Sequence, residues 1–320
     1  MAERTSFVAA AKENVVIRTA SCTVTILPQF GGKIASIFCN GHELLQAPLA
    51  PIGPRTKSMP FDAGDASGWD ECLPSVAACQ LPFGRATANV PDHGDLWRVA
   101  WQEIDGNGSS VKLRAACFSL PLEIERTLTL TETSKGHRLA VEYQLTNTGR
   151  EPAPWSWAAH PLFATAAGDR IVLPPTIQSL VIEGSRANRL GTPGQTVRWP
   201  VTPTSEGGAT DLSVAQPANS RIGDKLFAGP LSPTENWCAL ERPSAGVRIR
   251  FTFDTADNPY LGLWLCYGGW PEPPGPKQTC VALEPSTAPV DSLARNGPWS
   301  RVLHPGKSAV WKMNVDLELL

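Results

Sequence analysis

The chain has 320 residues, a formal net charge of −2 and an isoelectric point near 6.2. That length holds one large β-domain or two average ones, and so even a charge balance, with no block of like charges, gives no general attraction to nucleic acid or an anionic membrane. No run of 18 or more apolar residues reads as a membrane span, and Met1-Ala2-Glu3-Arg4-Thr5-Ser6 lacks the apolar stretch of a secretory signal, which predicts a cytoplasmic protein with a small-molecule partner.

In chain order, Ile34 to Ile37 and Glu43 to Leu45 flank Asn40-Gly41, a pair that readily takes positive φ in a tight hairpin. Asp105-Gly106-Asn107-Gly108 and Asn147-Thr148-Gly149 read as further turns. Apolar residues alternate with polar ones from Leu139 to Leu145 and from Val247 to Phe253, which predicts half-buried antiparallel strands. The same alternation through Trp311, Met313, Val315 and Leu317 ties the C-terminus into a sheet. No segment sustains a 3.6-residue period, so the fold class is all-β. Residues 191–220, polar and rich in Pro, Thr, Ser and Gly, read as a long surface excursion, which leaves residues 1–320 as a single domain. The eight cysteines include no CxxC and lie mostly in apolar context, which predicts buried, reduced thiols.

Chemistry concentrates at three places where an apolar run meets Pro or Gly. Cys280-Val281-Ala282-Leu283-Glu284-Pro285 ends on a carboxylate, and the proline predicts that the strand stops there, with Glu284 presented at its end. Ala159-His160-Pro161 and Asp92-His93-Gly94 each present an imidazole, whose ordinary pKa of about 6.5 suits it to give and take protons near neutrality. Each histidine taken alone is equally well a structural residue holding a loop carbonyl. Trp155, Trp157, Trp264, Trp270 and Trp299 lie in or near these segments, and flat aromatic faces beside a few polar groups suit the C–H face of a sugar. His93 and His160 have no second ligand at metal-binding spacing and no HExxH occurs, so no metal is expected.

These segments together resemble the aldose 1-epimerase (galactose mutarotase-like) family. The resemblance runs through Gly31 to Ile37, Gly41 to Leu45, Gly68 to Pro74, His93-Gly94, Ala159 to Phe163, Asp224-Lys225-Leu226-Phe227, Leu283-Glu284-Pro285 and Leu303 to Gly306. It implies a large antiparallel β-sandwich, the galactose mutarotase-like supersandwich, that interconverts α- and β-anomers of an aldose without a cofactor, as a monomer or homodimer. By the same resemblance Glu284 is the general base, His160 the general acid, and His93 and Asp224 bind substrate. The family's Gly-Arg-x-x-Asn-Arg motif is missing; Gly68 to Pro74 stands in its place, with Asp70 and Glu71 as candidate hydroxyl ligands and Trp157 as a candidate aromatic platform. Three other readings stay open. One is a hexose-6-phosphate 1-epimerase using Arg55, Lys57 or Arg85 for the phosphate; another is a non-catalytic carbohydrate-binding β-sandwich. The third is a glycosidase with Glu284 and Asp224 as its carboxylate pair.

Overall fold

The computed structural model describes residues 14–272 and 275–320. The chain is all-β: antiparallel strands are joined by loops and short 3-10 turns, with no α-helix among the described residues. Accordingly no helix there is long and apolar enough to cross a membrane.

Two sheets carry the architecture. An eleven-stranded sheet runs from Val15–Arg18 at one edge to Thr196–Arg198 at the other, and an eight-stranded sheet runs from Arg170–Val172 to Gln102–Gly106. Their apolar faces pack together, as the period-2 pattern requires. Trp69 and Phe163 of the larger sheet lie 5.9 and 5.8 Å, ring to ring, from Phe251 of the smaller. The Val247–Phe253 strand buries Val247, Ile249, Phe251 and Phe253 and leaves the residues between them half-buried. Ser308–Leu319 pairs with that strand on one side and with Gly136–Asn147 on the other, so the C-terminal strand lies inside its sheet. Asn40 and Gly41, at φ 52° and 85°, close the expected hairpin between Lys33–Cys39 and His42–Glu43.

Three expectations change. The Glu284 strand does not stop at its proline: Thr279–Ser286 continues through Pro285, which pairs with Leu261. The missing N–H is accommodated by a gap in the ladder on the other side. The neighbouring Ala158–Ala164 strand pairs at Leu162–Ala282 and again at Ala158–Ser286, but not between, where Pro161 and Pro285 both lie. Cys22 and Cys39 are joined as a disulfide, whereas the other six cysteines are free. Their opposition depends on a register that carries an irregularity between Thr25 and Ile26, which residue spacing does not reveal. Residues 191–220 are more than a surface excursion. They supply the edge strand Thr196–Arg198 and a small hairpin of Val201–Pro203 with Ala209–Asp211.

Candidate active site

Five neighbouring strands of the larger sheet form the floor of a cavity: Trp69–Cys72, Ala158–Ala164, Thr279–Ser286, Tyr260–Tyr267 and Ile222–Ala228. Their alternation separates two faces. Trp69, Phe163, Val281, Leu283, Leu263, Leu265 and Leu226 face the other sheet as core. The residues between them, Asp70, His160, Glu284, Gly262 and Lys225, face away from it. Register aligns Asp70 with His160 and Glu284 with Gly262, and across the ladder gap it brings His160 opposite Glu284.

Loops close over this face and leave a cavity of about 160 Å³. Glu284, His160, Lys225, His93, Asp92 and Asp291 contribute its titratable lining, and Phe61, Trp264 and Trp270 its aromatic walls. Gln278 lines it too, but its amide is engaged: Oε1 accepts from Trp264 Nε1 at 3.0 Å and Nε2 donates to the Ala66 carbonyl at 3.0 Å.

His93 stands in a turn that only its neighbour's lack of a side chain permits. Its own φ is 58°, Gly94 follows at 69°, and a Cβ on Gly94 would lie 2.2 Å from the Leu73 carbonyl oxygen. The imidazole stacks on Phe61 at 3.7 Å, with 7° between the planes, and its Nδ1 donates to Asp92 Oδ2 at 2.8 Å. Burial works against the Asp92 charge, but the hydrogen bond and charge of His93, with Arg98, hold its pKa below the ordinary value. The proton is therefore on Nδ1, and Nε2 is left to a ligand.

His160 lies edge-on to His93, with ring centres 5.1 Å apart. Burial, reinforced by His93, Lys225 and Lys33, lowers its pKa well below that of a free imidazole. Its Nδ1 is buried with no hydrogen-bond partner.

Glu284 is fully buried. Burial raises its pKa, Asp291 adds to the rise, and Lys225 opposes it through an ion pair to Oε2. The other carboxylate oxygen, Oε1, has no hydrogen-bond partner, and neither has Asp291 Oδ1, which lies 3.8 Å from Lys225 Nζ. A buried polar atom without a hydrogen-bond partner costs about 1–3 kcal/mol, and three of them belong to side chains that line this one cavity. Among the described residues no group of three or more His, Cys, Asp or Glu side chains converges as a metal site would.

The cavity thus brings together Glu284, His160 and His93 from the residues singled out in the sequence. It does not include Asp224, Asp70, Glu71 or Trp157. Asp224 shares the core-facing side of its strand with Leu226, where it pairs with Arg189 and accepts from Ser185 Oγ at 2.6 Å. Asp70 shares a face with His160 but is held in a buried network, 2.5 Å from Lys33 Nζ and 3.7 Å from Arg55. Glu71 points into the space between the sheets. There Oε1 meets Arg126 and the Tyr143 hydroxyl, each at 2.9 Å, and Oε2 accepts from Trp157 Nε1 at 2.9 Å. That bond makes Trp157 a core residue too, packed against Tyr143 and Trp311.

Lys225 and Asp291 are charged cavity residues that sequence reasoning gave no role; Phe61 and Gln278 were missed as well. For Lys225 a signal existed: in Asp224-Lys225-Leu226-Phe227 only one of the two charges can share the face of Leu226, and an apolar core claims that face. Asp291 comes from a loop, where no period applies.

An all-β supersandwich with a histidine–carboxylate cavity on its larger sheet defines the class, that of the galactose mutarotase-like fold. The sequence profile of the aldose 1-epimerase family matches residues 78–316, and the chain belongs to that family. Its fold is similar to that of Slr1438 from Synechocystis sp. PCC 6803, with a TM-score of 0.71, 16% identity and all of both chains covered. It also resembles a galactose mutarotase-like protein from Lactobacillus casei ATCC 334, with a TM-score of 0.61 and 18% identity over 95% of this chain and 100% of that one. The aldose epimerase homologue of C. elegans matches with a TM-score of 0.64 and 16% identity over 96% and 99%. No curated protein matches the sequence.

Proposed function

We propose that this protein interconverts the α- and β-anomers of a neutral aldose, with Glu284 as general base and His160 as general acid. The observation that carries the reading is the pair of unpartnered buried atoms, Glu284 Oε1 and His160 Nδ1, on opposed strands of one cavity. Glu284 takes the proton of the C1 hydroxyl while His160 delivers one to the ring oxygen. The ring opens, C1–C2 rotates, and the same two groups, their roles reversed, close the ring on the other face. His93 Nε2 and Asp291 Oδ1 receive hydroxyl groups, and the scheme calls for no cofactor.

The working site carries one proton on the pair, on His160 before ring opening and on Glu284 after it. Burial raises the affinity of Glu284 for that proton and lowers that of His160, which shifts the pair toward the form with the proton on Glu284. Each proton-transfer group is worth about 10² to 10⁴ in rate. A bell-shaped pH profile follows, whose limbs belong to the pair.

A neutral substrate is favoured by the lining. Among the described residues there, Lys225 is the one lysine or arginine, and it is already engaged by Glu284 and Asp291. Arg55 is committed to Asp65 at 2.5 Å and to the Trp97 carbonyl at 2.6 Å, Lys57 lies over Phe118, and Arg85 is exposed on a turn. None of the three lines the cavity. Comparing kcat/KM for glucose, galactose and glucose 6-phosphate tests the claim. A preference of tenfold or more for the phosphate ester, about 1.4 kcal/mol in the transition state, refutes the neutral-sugar reading. A sugar that binds without anomer exchange refutes the enzyme.

A further inference from the structure

We propose that Lys225 is a positioning residue for this reaction: it grips Glu284 by Oε2, leaving Oε1 without a hydrogen-bond partner, and supplies the counter-charge a buried carboxylate needs to serve as a base. The inference rests on the reading of Glu284 as the base. Three strands and a loop build the arrangement. Lys225 stands on the Ile222–Ala228 strand and Glu284 on Thr279–Ser286, and the strand between them contributes Gly262, directly opposite Glu284. With no side chain at 262 the lysine reaches diagonally to the carboxylate; a Cβ there would lie 3.1 Å from Glu284 Oε2. On its other side Nζ is 3.8 Å from Asp291 Oδ1.

One ammonium thus serves two carboxylates. Glu284, with no exposed surface, would bind a proton at neutral pH without it, because an isolated buried carboxylate prefers its neutral form. The other titratable groups facing this pair are His160 on the neighbouring strand, the free thiols of Cys280 on the strand of Glu284 itself and of Cys72 one strand beyond His160, Asp70 beside His160, and Asp92 with His93 from the covering turn. Asp70 already holds Lys33, and Asp92 holds His93. Lys225 is therefore the cation committed to Glu284. Burial works against its own charge, but Glu284 and then Asp291 more than offset this, so its pKa lies above the ordinary lysine value.

The test measures the Glu284 titration by ¹³C NMR of the labelled carboxylate, and the pH profile of anomer exchange, in wild type, Lys225→Met, Lys225→Arg and Asp291→Asn. Loss of the charge in Lys225→Met raises the Glu284 titration and moves both limbs of the profile to higher pH, by about one to three units. Lys225→Arg returns both toward wild type. Asp291→Asn removes the competing carboxylate and moves the Glu284 titration the opposite way, which keeps the test open if Lys225→Met does not fold. A Glu284 titration that stays in place in Lys225→Met and Asp291→Asn overturns the proposal, even where the rate falls. The carboxylate titration needs no substrate, so it decides on Lys225 even if no aldose is turned over.

Discussion

His160 and Glu284 stand opposite one another on adjacent antiparallel strands, where the ladder between those strands is interrupted between Leu162–Ala282 and Ala158–Ser286. Two prolines, Pro161 and Pro285, lie in the gap, each beside a proposed catalytic group. The lost donors and the presented side chains are thus one local solution: a rigid sheet floor with two polar groups held on its outer face, each with one buried atom that has no hydrogen-bond partner.

His160→Ala is expected to lower kcat by about 10² to 10⁴ with a smaller effect on KM, since a general acid acts in the transition state. Steady-state kinetics of anomer exchange checks this. A rise in KM at unchanged kcat would assign His160 to binding.

Gly262→Ala places a Cβ 3.1 Å from Glu284 Oε2 and 3.2 Å from Phe227 Cε1. Neither is backbone, so the side chains give way and the base is displaced. The expected result is a kcat lower by about a hundredfold, with Tm reduced by only a few degrees. An activity equal to wild type would show that the carboxylate tolerates displacement.

Glu71→Ala tests the core placement of that residue. It strands the Arg126 charge between the sheets and frees Tyr143 and Trp157, which is expected to cost about 3–5 kcal/mol. Denaturant unfolding measures the loss, and KM of the folded enzyme stays unchanged. A normal stability with a raised KM would return Glu71 to the substrate.

These contrasts show what was legible in the sequence. The all-β class, the strand at Val247–Phe253, the Asn40-Gly41 hairpin and the buried C-terminal strand follow from period-2 alternation and turn chemistry, which are local. Glu284, His160 and His93 were visible because each sits against Pro or Gly at the end of an apolar run. The faces of Asp70, Glu71 and Asp224 were not legible because neighbouring charges in a strand, Asp70-Glu71 and Asp224-Lys225, point to opposite faces, and only the partners Lys33, Arg126 and Arg189, 37, 55 and 35 residues away, show which charge is structural. The Cys22–Cys39 pairing was hidden for the same reason: it depends on register between strands.

The low pKa of His160 also predicts a pH dependence of stability. A histidine whose pKa is lowered in the folded state binds fewer protons than in the unfolded chain between that lowered pKa and about 6.5, so folding stability falls as pH falls through that window. The slope from this residue approaches about 1.4 kcal/mol per pH unit. Glu284, with a raised pKa, acts in the opposite sense above its unfolded value of about 4.3. Urea unfolding of wild type and His160→Gln between pH 5 and 7 is expected to show a shallower loss in the variant; equal slopes would mean that His160 is not held neutral.

Anomer exchange in galactose and glucose, followed by saturation-transfer NMR in wild type and Glu284→Gln, tests the central claim most directly. The amide keeps the shape of the side chain but cannot act as a base. Wild type is expected to exchange anomers well above the buffer rate, and Glu284→Gln to lose at least about a hundredfold of that enhancement while remaining folded. Wild-type exchange no faster than buffer, or a variant keeping more than about a tenth of the wild-type rate, would contradict it.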